Sequence, residues 1–166
     1  MGSGFVRMMA CTAVAAMLIG CATGISKEVR SQVTYSGSFS ELQQSPEKFK
    51  GQTVIFGGKI IEAQILAQGP ELMVLQIELD DGDHPLADDQ SKGRFLIHSK
   101  QFIDPAIYPP GTLITVVGTI EGSQERLIGQ MMYRYPVIDA LEIKKWPPPA
   151  DTSPRIHFGI GVGTVF

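Results

Sequence analysis

Cysteine is scarce in this sequence, and positive charge is not in excess. The chain of 166 residues has two cysteines, Cys11 and Cys21, both near its N-terminus. Residues 22–166 therefore contain no thiol for a disulfide, and a small domain without one depends on its hydrophobic core. The 14 Lys and Arg residues are outnumbered by 17 Asp and Glu residues, which gives a net charge of −3. A nucleic-acid partner is not expected, because binding phosphates requires a basic surface.

The apolar run near the N-terminus is short. It covers residues 8–19, which is too few to span a bilayer comfortably. It ends in Leu18-Ile19-Gly20-Cys21, the pattern of a bacterial lipobox. We therefore predict a lipoprotein signal peptide over residues 1–20, cleavage between Gly20 and Cys21, and a lipid-modified Cys21. An uncleaved N-terminal anchor helix is the alternative.

The residues after Cys21 bear on where the protein is sent. Ala22 stands where lipoproteins retained in the inner membrane of Gram-negative bacteria carry Asp, so sorting to the outer membrane is predicted. Residues 21–37 are polar and show no sustained periodicity, and we predict that they form a lipidated tether. The first predicted partner is thus a membrane, contacted through the lipid anchor.

Alternating apolar residues dominate the predicted domain, residues 38–146. Six stretches are predicted to be β-strands: 52–65, 72–79, 94–99, 113–120, 127–132 and 136–145. Gly57-Gly58 interrupts the first stretch and predicts a bulge or bend that lets it curl. One minor helix, limited by Pro46, is predicted before the strands. The predicted fold is all-β with one minor helix, a small OB-like β-barrel of five to six strands, with a β-sandwich as the alternative.

One loop is rich in carboxylates. Asp80-Asp81-Gly82-Asp83 and Asp88-Asp89 offer ligands to calcium, but they lack the spaced ligand set and terminal Glu of an EF-hand. A solvated turn is the preferred interpretation, and no metal site is predicted.

Candidates for catalysis are scattered along the chain. They are three histidines and three isolated acidic residues: His84, His98, His157, Glu62, Glu78 and Asp104. The histidines do not have the spacing of metal ligands. His98 lies in an alternating stretch and is predicted to be a hydrogen-bonded structural residue. We therefore predict no catalytic residue and no cofactor, and the protein is not expected to be an enzyme.

Two further stretches support functional hypotheses. The loop Tyr108-Pro109-Pro110-Gly111 combines an aromatic ring with rigid prolines, and it is a candidate site for a small envelope ligand or glycan. Residues 147–166 are predicted to be a Pro-rich linker and a tail in which glycine alternates with apolar residues. The part from Ile156 to Phe166 has four open interpretations: an edge strand, an arm that docks on a partner, a segment that touches lipid, or a flexible tail.

The chain resembles the Slp family of outer-membrane lipoproteins, the starvation-inducible type of Gram-negative bacteria. The resemblance covers most of the mature chain and rests on ordered blocks: Phe49-Lys50-Gly51-Gln52, Phe56-Gly57-Gly58-Lys59-Ile60, Lys92-Gly93-Arg94-Phe95-Leu96, Phe102-Ile103-Asp104-Pro105 with Tyr108, Thr115-Val116-Val117-Gly118-Thr119-Ile120-Glu121-Gly122, and Tyr135-Pro136 through Trp146. The glycine-alternating tail does not correspond to a feature of the family.

The resemblance implies a lipid-anchored envelope protein with no catalytic set to carry over. Two functions are therefore kept open. The first is a non-enzymatic outer-membrane lipoprotein, anchored through acylated Cys21, with a structural or envelope-stress role and an envelope protein as partner. The second is a binding module for a small envelope ligand or glycan.

Overall fold

A computed structural model of the chain describes residues 24–86 and 90–148. These residues form two short helices, α1 (Lys27–Arg30) and α2 (Phe39–Gln44), and a 3₁₀ turn at Pro46–Phe49. Their strands are β1 (Thr53–Leu66), β2 (Gly69–Ile77), β3 (Arg94–His98), β4 (Leu113–Ile128) and β5 (Met131–Lys145). Within the two ranges, no helix has the length and apolar character needed to cross a membrane. The predicted signal peptide, Cys21, Asp88-Asp89, His157 and the glycine-alternating tail lie outside the described residues.

The strands close a barrel in the order β1-β2-β3-β5-β4. β1 pairs with both β2 and β4, so the sheet has no open edge along that strand. β3 and β5 run parallel, and the other neighbouring strands are antiparallel. The predicted all-β barrel of OB-like character is confirmed. The alternative of a β-sandwich is wrong, because a single sheet closes on itself.

The prediction of a separate strand at 127–132 is also wrong. That stretch is divided between the end of β4 and the start of β5, where Leu127 pairs with Met132 and Ile128 pairs with Met131. The tight turn between the two strands contains Gly129, whose φ is +61°, a conformation that favours glycine. The barrel therefore has five strands, and the two longest form one continuous hairpin.

The barrel interior is filled by side chains from all five strands. The main buried members are Val54, Phe56, Ile60, Leu72, Val74, Phe95, Ile97, Ile114, Val116, Ile120 and Ile138. Phe39 of α2 joins this cluster, and its ring centre lies 5.4 Å from that of Phe56 and 5.8 Å from that of Phe95. The N-terminus of α2 is capped by Ser38, whose hydroxyl accepts a hydrogen bond from the Glu41 N–H at 3.2 Å. The minor helix thus contributes directly to the core.

Gly57 and Gly58 are required for close packing, but the bulge predicted there lies further along β1. The register of β1 against β2 shifts between Ile60 and Glu62. A Cβ added to Gly58 would lie 2.4 Å from Val74 Cγ1, and one added to Gly57 would lie 2.4 Å from Leu79 Cδ2. The two glycines therefore let β1 approach its neighbours closely.

The β4–β5 hairpin extends beyond the main core and forms a second one. The pairing of β4 with β5 shifts between Ile120 and Gly122, and such a shift increases local bending. Past that point, Leu96, Tyr135 and Val137 form a buried cluster, joined by the partly buried Met73, Ile128 and Tyr133. The neighbours of Met73 on β2 and of Leu96 on β3 face the barrel interior, so Met73 and Leu96 face outward. The hairpin therefore covers the outer face of those two strands.

The segment predicted as a tether is not free chain over its described part, residues 24–37. Ile25 and Tyr35 are buried, and Tyr35 belongs to the main core. The Tyr35 N–H donates a hydrogen bond to the Thr53 carbonyl at 3.0 Å. The Ser26 hydroxyl donates to Glu142 of β5 at 2.5 Å. The folded domain therefore begins at or before Gly24, and not at residue 38, because polar residues of this segment find partners on the barrel.

Candidate functional site

The predicted lipidation site lies close to the folded domain in sequence. Cys21 precedes the first described residue, Gly24, by three positions. A Cβ placed on Gly24 would lie 3.6 Å from Asp83 Oδ2 and 3.6 Å from the Gly82 carbonyl oxygen. A few residues later, Arg30 forms an ion pair with Asp83. Gly24, three positions after the predicted lipidation site, therefore lies against the turn that contains Asp83.

That turn is the acidic loop considered for calcium, and two of its carboxylates, Asp80 and Asp83, have partners while Asp81 is exposed. Asp80 Oδ1 accepts hydrogen bonds from the N–H groups of Gly82 at 2.8 Å and His84 at 2.9 Å. Asp83 has a φ of +64° and pairs with Arg30. The described ranges contain no group of three or more His, Cys, Asp or Glu side chains arranged to hold a metal ion. The loop is thus a structured turn that also receives the N-terminal segment.

A relay of hydrogen bonds connects this turn to Trp146 at the end of β5. The buried Thr115 hydroxyl donates to the Asp83 carbonyl at 2.5 Å. The Trp146 Nε1–H donates to Thr115 Oγ1 at 3.0 Å. The centre of the Trp146 ring lies 4.6 Å from that of His84. The indole is therefore fixed in position beside the docked N-terminal segment.

Trp146 forms one wall of an open apolar groove of about 720 Å³. The groove lies between the loop at 106–113 and the segment Lys145–Pro148. Ile107 is half exposed within it, at 53%. Lys145 donates a hydrogen bond from its Nζ to the Ile107 carbonyl at 3.2 Å and so ties the two sides together. One wall of the groove, Trp146, is therefore joined through Thr115 to the turn that Gly24 lies against.

The loop predicted to bind a ligand, Tyr108 to Gly111, lines this groove with its last three residues and not with the Tyr108 ring. Pro109, Pro110 and Gly111 line the groove. Tyr108 packs against the main core instead, and Lys145 Nζ lies 5.8 Å from the centre of its ring. The apolar surface of the groove therefore comes from Ile107, Trp146 and the prolines. Sequence reasoning treated Trp146 as a strand end and did not consider Ile107.

A second polar constellation centres on Glu71 of β2, which is 1% exposed. Arg126 of β4 donates two hydrogen bonds to it, from Nη1 to Oε1 at 2.7 Å and from Nη2 to Oε2 at 2.6 Å. Gln64 Nε2 donates to Oε1 at 2.9 Å. The His98 ring nitrogens lie 3.2 Å from Glu71 Oε2 and 3.0 Å from Glu121 Oε2. These partners satisfy the buried carboxylate and link β2 to the hairpin.

The charge state of Glu71 follows from these contacts. Burial favours the neutral acid and by itself raises the pKa of the Glu71 carboxyl. The hydrogen bonds from Arg126, Gln64 and His98, together with the Arg126 charge, outweigh burial and lower that pKa below its usual value of 4.5. The hydrogen bonds to Glu71 in turn raise the pKa of Arg126. The pair is therefore ionised at neutral pH, and a carboxylate so engaged is not available as a general base.

The other acids considered for catalysis lie apart from one another. Glu78 pairs with Lys92, and Asp104 Oδ1 accepts a hydrogen bond from the Ala106 N–H at 2.9 Å. No hydrogen bond or ion pair joins any two of Glu62, Glu78 and Asp104, all of which lie in the described part of the chain. His98 has the hydrogen-bonded position predicted for it.

The end of the β4–β5 hairpin is an exposed apolar surface. It consists of Leu127, Met131 and Met132, which are 63%, 72% and 60% exposed. We call these three residues the hairpin tip. The groove is at the start of β4 and the hairpin tip at its end, so the two apolar surfaces are separated along the full length of that strand.

Comparison with known proteins identifies a family and relatives that match most of this chain. The model of the outer membrane lipoprotein Slp family matches residues 18–159. The uncharacterized lipoprotein YeaY of Escherichia coli K12 is 30% identical over 154 residues, which cover 89% of this chain and 79% of that protein. Outer membrane protein Slp of the same organism is 26% identical over 131 residues, covering 78% of this chain and 69% of its own length.

Among solved structures, a small single-stranded DNA-binding protein from Streptomyces coelicolor is similar with a TM-score of 0.37 and 14% identity. The match covers 57% of this chain and 94% of that one. A likeness at this level carries no argument about the ligand.

Replacing Arg126 by Met is expected to destabilise the protein by about 3 kcal/mol or more, because it leaves Glu71 buried without its main counter-charge. Methionine keeps an apolar stem at the site, so the change tests mainly the charge. The matched control is Arg134→Met, which breaks an exposed pair with Glu125 on the same hairpin and should cost less than about 1 kcal/mol. Urea unfolding curves give both values. Equal losses in the two variants would contradict the assigned role of the buried pair.

The Glu71 carboxylate also predicts a loss of stability in acid. A carboxyl group with a lowered pKa in the folded state contributes stability above its unfolded pKa, and this is lost as the pH falls through the folded pKa. Glu71→Gln should therefore be less stable than the wild type at neutral pH and should lose less stability below about pH 4.5. Unfolding free energies measured across that range test this, with Glu125→Gln as the exposed control. A parallel pH profile for wild type and Glu71→Gln would refute it.

Proposed function

The chain belongs to the Slp family of outer membrane lipoproteins, and from that premise we propose that acyl chains on Cys21 hold it in the membrane while its barrel serves as a non-enzymatic envelope scaffold. Its place in the outer membrane follows from the family and from its similarity to outer membrane protein Slp. The anchor chemistry and the scaffold role are the proposal.

The lipobox is the observation that carries the proposed anchor. The family match begins at Leu18, the first residue of Leu18-Ile19-Gly20-Cys21, and so includes the whole motif. A single acyl chain gives only marginal membrane binding, whereas the two or three chains of a processed lipoprotein give stable attachment. With Gly24 docked against the barrel, these chains would hold the folded domain itself at the bilayer.

The pairing of the polar side chains supports the scaffold role. Within the described ranges, every buried side-chain nitrogen or oxygen has a hydrogen-bond partner. Glu71, the most deeply buried acid, is neutralised by Arg126, and its hydrogen bonds connect strands of the barrel. This arrangement stabilises a fixed surface, and the Glu71 carboxylate is held by Arg126 rather than free to act as a base.

A second candidate function is a binding module. The supporting observation is the groove between Ile107 and Trp146, which is apolar along its walls and has Lys145 at its rim. Apolar walls with a few polar groups at the edge suit an amphipathic envelope molecule. This function is compatible with the lipid anchor.

Cys21→Ala is expected to abolish incorporation of labelled palmitate and to remove the protein from the outer-membrane fraction, because the thiol is the acceptor of the lipid. Cys11→Ala is the matched control, since it removes the other cysteine of the chain and leaves the lipobox intact. It should be labelled and fractionated like the wild type. Recovery of Cys21→Ala in the outer membrane at wild-type levels would refute the anchor.

For the binding module, a chain of residues 22–166 should show a ligand-dependent change in tryptophan emission, because Trp146 is the single tryptophan of the sequence and lines the groove. Phospholipids and envelope glycans are the compounds to titrate. Unchanged emission with both classes would count against the module, and capture of a protein partner by crosslinking in cells would then favour the scaffold role alone.

A further inference from the structure

The geometry points to a bilayer-facing surface: the groove between Ile107 and Trp146 lies against the phospholipid surface of the membrane that holds Cys21. This inference rests on the proposed acylation of Cys21. It goes further by naming the ligand of the groove as the membrane itself, and by fixing which side of the barrel faces the bilayer.

The first step is the length of chain between lipid and barrel. Three peptide units separate Cys21 from Gly24, and consecutive Cα atoms are about 3.8 Å apart, so the separation is at most about 11 Å. From Gly24 onwards the chain is docked, with Ile25 buried and Ser26 hydrogen-bonded to Glu142. A barrel on so short a connection is held at the membrane surface, with the side that carries Gly24 turned toward the lipid.

The second step is the position of the groove relative to that attachment point. A Cβ on Gly24 would contact Asp83, the Asp83 carbonyl accepts from Thr115, and Thr115 accepts from Trp146. Each of these contacts is 3.6 Å or shorter. The groove wall is therefore joined by two hydrogen bonds to the turn that the docked N-terminal segment lies against.

The third step is the chemistry of the surface. Trp146 combines an apolar ring with an N–H that is already hydrogen-bonded to Thr115, and tryptophan is enriched at membrane interfaces for this amphipathic character. Ile107, Pro109 and Pro110 add apolar contacts without charge. Lys144, whose Nζ lies 5.7 Å from the centre of the Trp146 ring, and the exposed Lys145 provide cations at the level of anionic head groups.

Most of the acidic residues near the docked N-terminal segment are paired with other groups. Asp83 is paired with Arg30, Asp80 accepts backbone hydrogen bonds within its turn, and Glu142 accepts from Ser26. Asp81 remains exposed at the turn. Lys145 lines the groove, Lys144 lies beside its Trp146 wall, and Asp104 accepts a hydrogen bond from the Ala106 N–H.

The hairpin tip is a poorer candidate for this contact. Leu127 lies 14 residues beyond Leu113 on β4, which is roughly 45 Å of strand, and the anchor segment contacts the other end. With only two residues between Cys21 and Gly24, the end of β4 beside the anchor segment is the end held near the lipid. The location of the anchor selects the groove.

The test uses the full-length acylated protein, reconstituted in vesicles of phosphatidylethanolamine and phosphatidylglycerol that contain brominated phosphatidylcholine. Emission from Trp146, the single tryptophan, should shift to the blue relative to the soluble chain of residues 22–166. Bromines placed near the head groups should quench it at least several-fold more than bromines at the chain ends. Acylated protein that floats with the vesicles yet shows neither shift nor quenching would overturn the proposal.

Two matched substitutions locate the contact. Ile107→Asp should reduce the quenching several-fold while leaving palmitate labelling, vesicle flotation and the thermal midpoint close to wild type. Ile65→Asp is the control, because Ile65 is the same residue type with nearly the same exposure, 52% against 53%, but lies on the β1–β2 hairpin. Equal effects of the two substitutions on quenching would overturn the assignment of this face.

The same measurements separate this inference from the anchor on which it rests. Wild-type protein that is neither labelled by palmitate nor recovered with vesicles would refute both. Labelled protein that floats but is not quenched refutes the bilayer-facing groove alone. Quenching of the soluble chain by an envelope glycan, with no bilayer contact by the acylated protein, would assign the groove to a glycan instead.

Discussion

The close approach of β1 to β2 at Gly57 and Gly58 is the packing constraint on which the first hairpin of the barrel depends. These residues pair with β2 on one side and β4 on the other. A Cβ on Gly58 would lie 2.5 Å from the Leu75 carbonyl oxygen as well as 2.4 Å from Val74, and backbone cannot move aside as a flexible side chain can. A larger residue at either position would push β1 and β2 apart, although β1 also pairs with β4 on its other side. Two small residues thus stabilise a disulfide-free domain through the packing that they permit.

The long hairpin adds a constraint of another kind. Its apolar contacts with Met73 and Leu96 fix it over the outer face of β2 and β3, but apolar contacts alone tolerate sliding. The bidentate pair of Arg126 and Glu71 opposes sliding of the hairpin, because the buried carboxylate loses its counter-charge if the register changes. Taking such a pair out of water is costly and often adds little net stability. Its contribution here is to specify one position of the hairpin.

Strands were predicted well where buried and exposed residues alternate along the sequence. Contacts between residues far apart in the sequence were not predicted. The predicted strand 113–120 stops short of the end of β4 at Ile128, and the predicted strand 127–132 crosses the turn at Gly129. Arg126 and Glu71 are 55 residues apart, and Ser26 and Glu142 are 116 apart. No local sequence pattern predicts either pair. The hydrogen bonds around Glu71 and the docking of residues 24–37 were therefore not predicted. Trp146 was visible in the sequence, but its role depends on Thr115 and Asp83, which fold beside it.

Docking of the N-terminal segment on the barrel changes how far a lipid anchor on Cys21 would let the domain move. A flexible tether of 17 residues, as the composition of 21–37 suggests, would let the domain move over about 20 Å or more. With Ile25 buried and Arg30 paired to Asp83, residues 24–37 do not provide that freedom. Under the proposed acylation of Cys21, membrane attachment would then set the orientation of the barrel as well as its location. The hairpin tip, whose position is fixed by the Glu71–Arg126 pair, is consequently presented at the end of the domain remote from the anchor. The two polar clusters that link distant parts of the chain therefore have complementary effects: one docks the N-terminal segment on the barrel, and the other fixes the hairpin that carries the apolar tip.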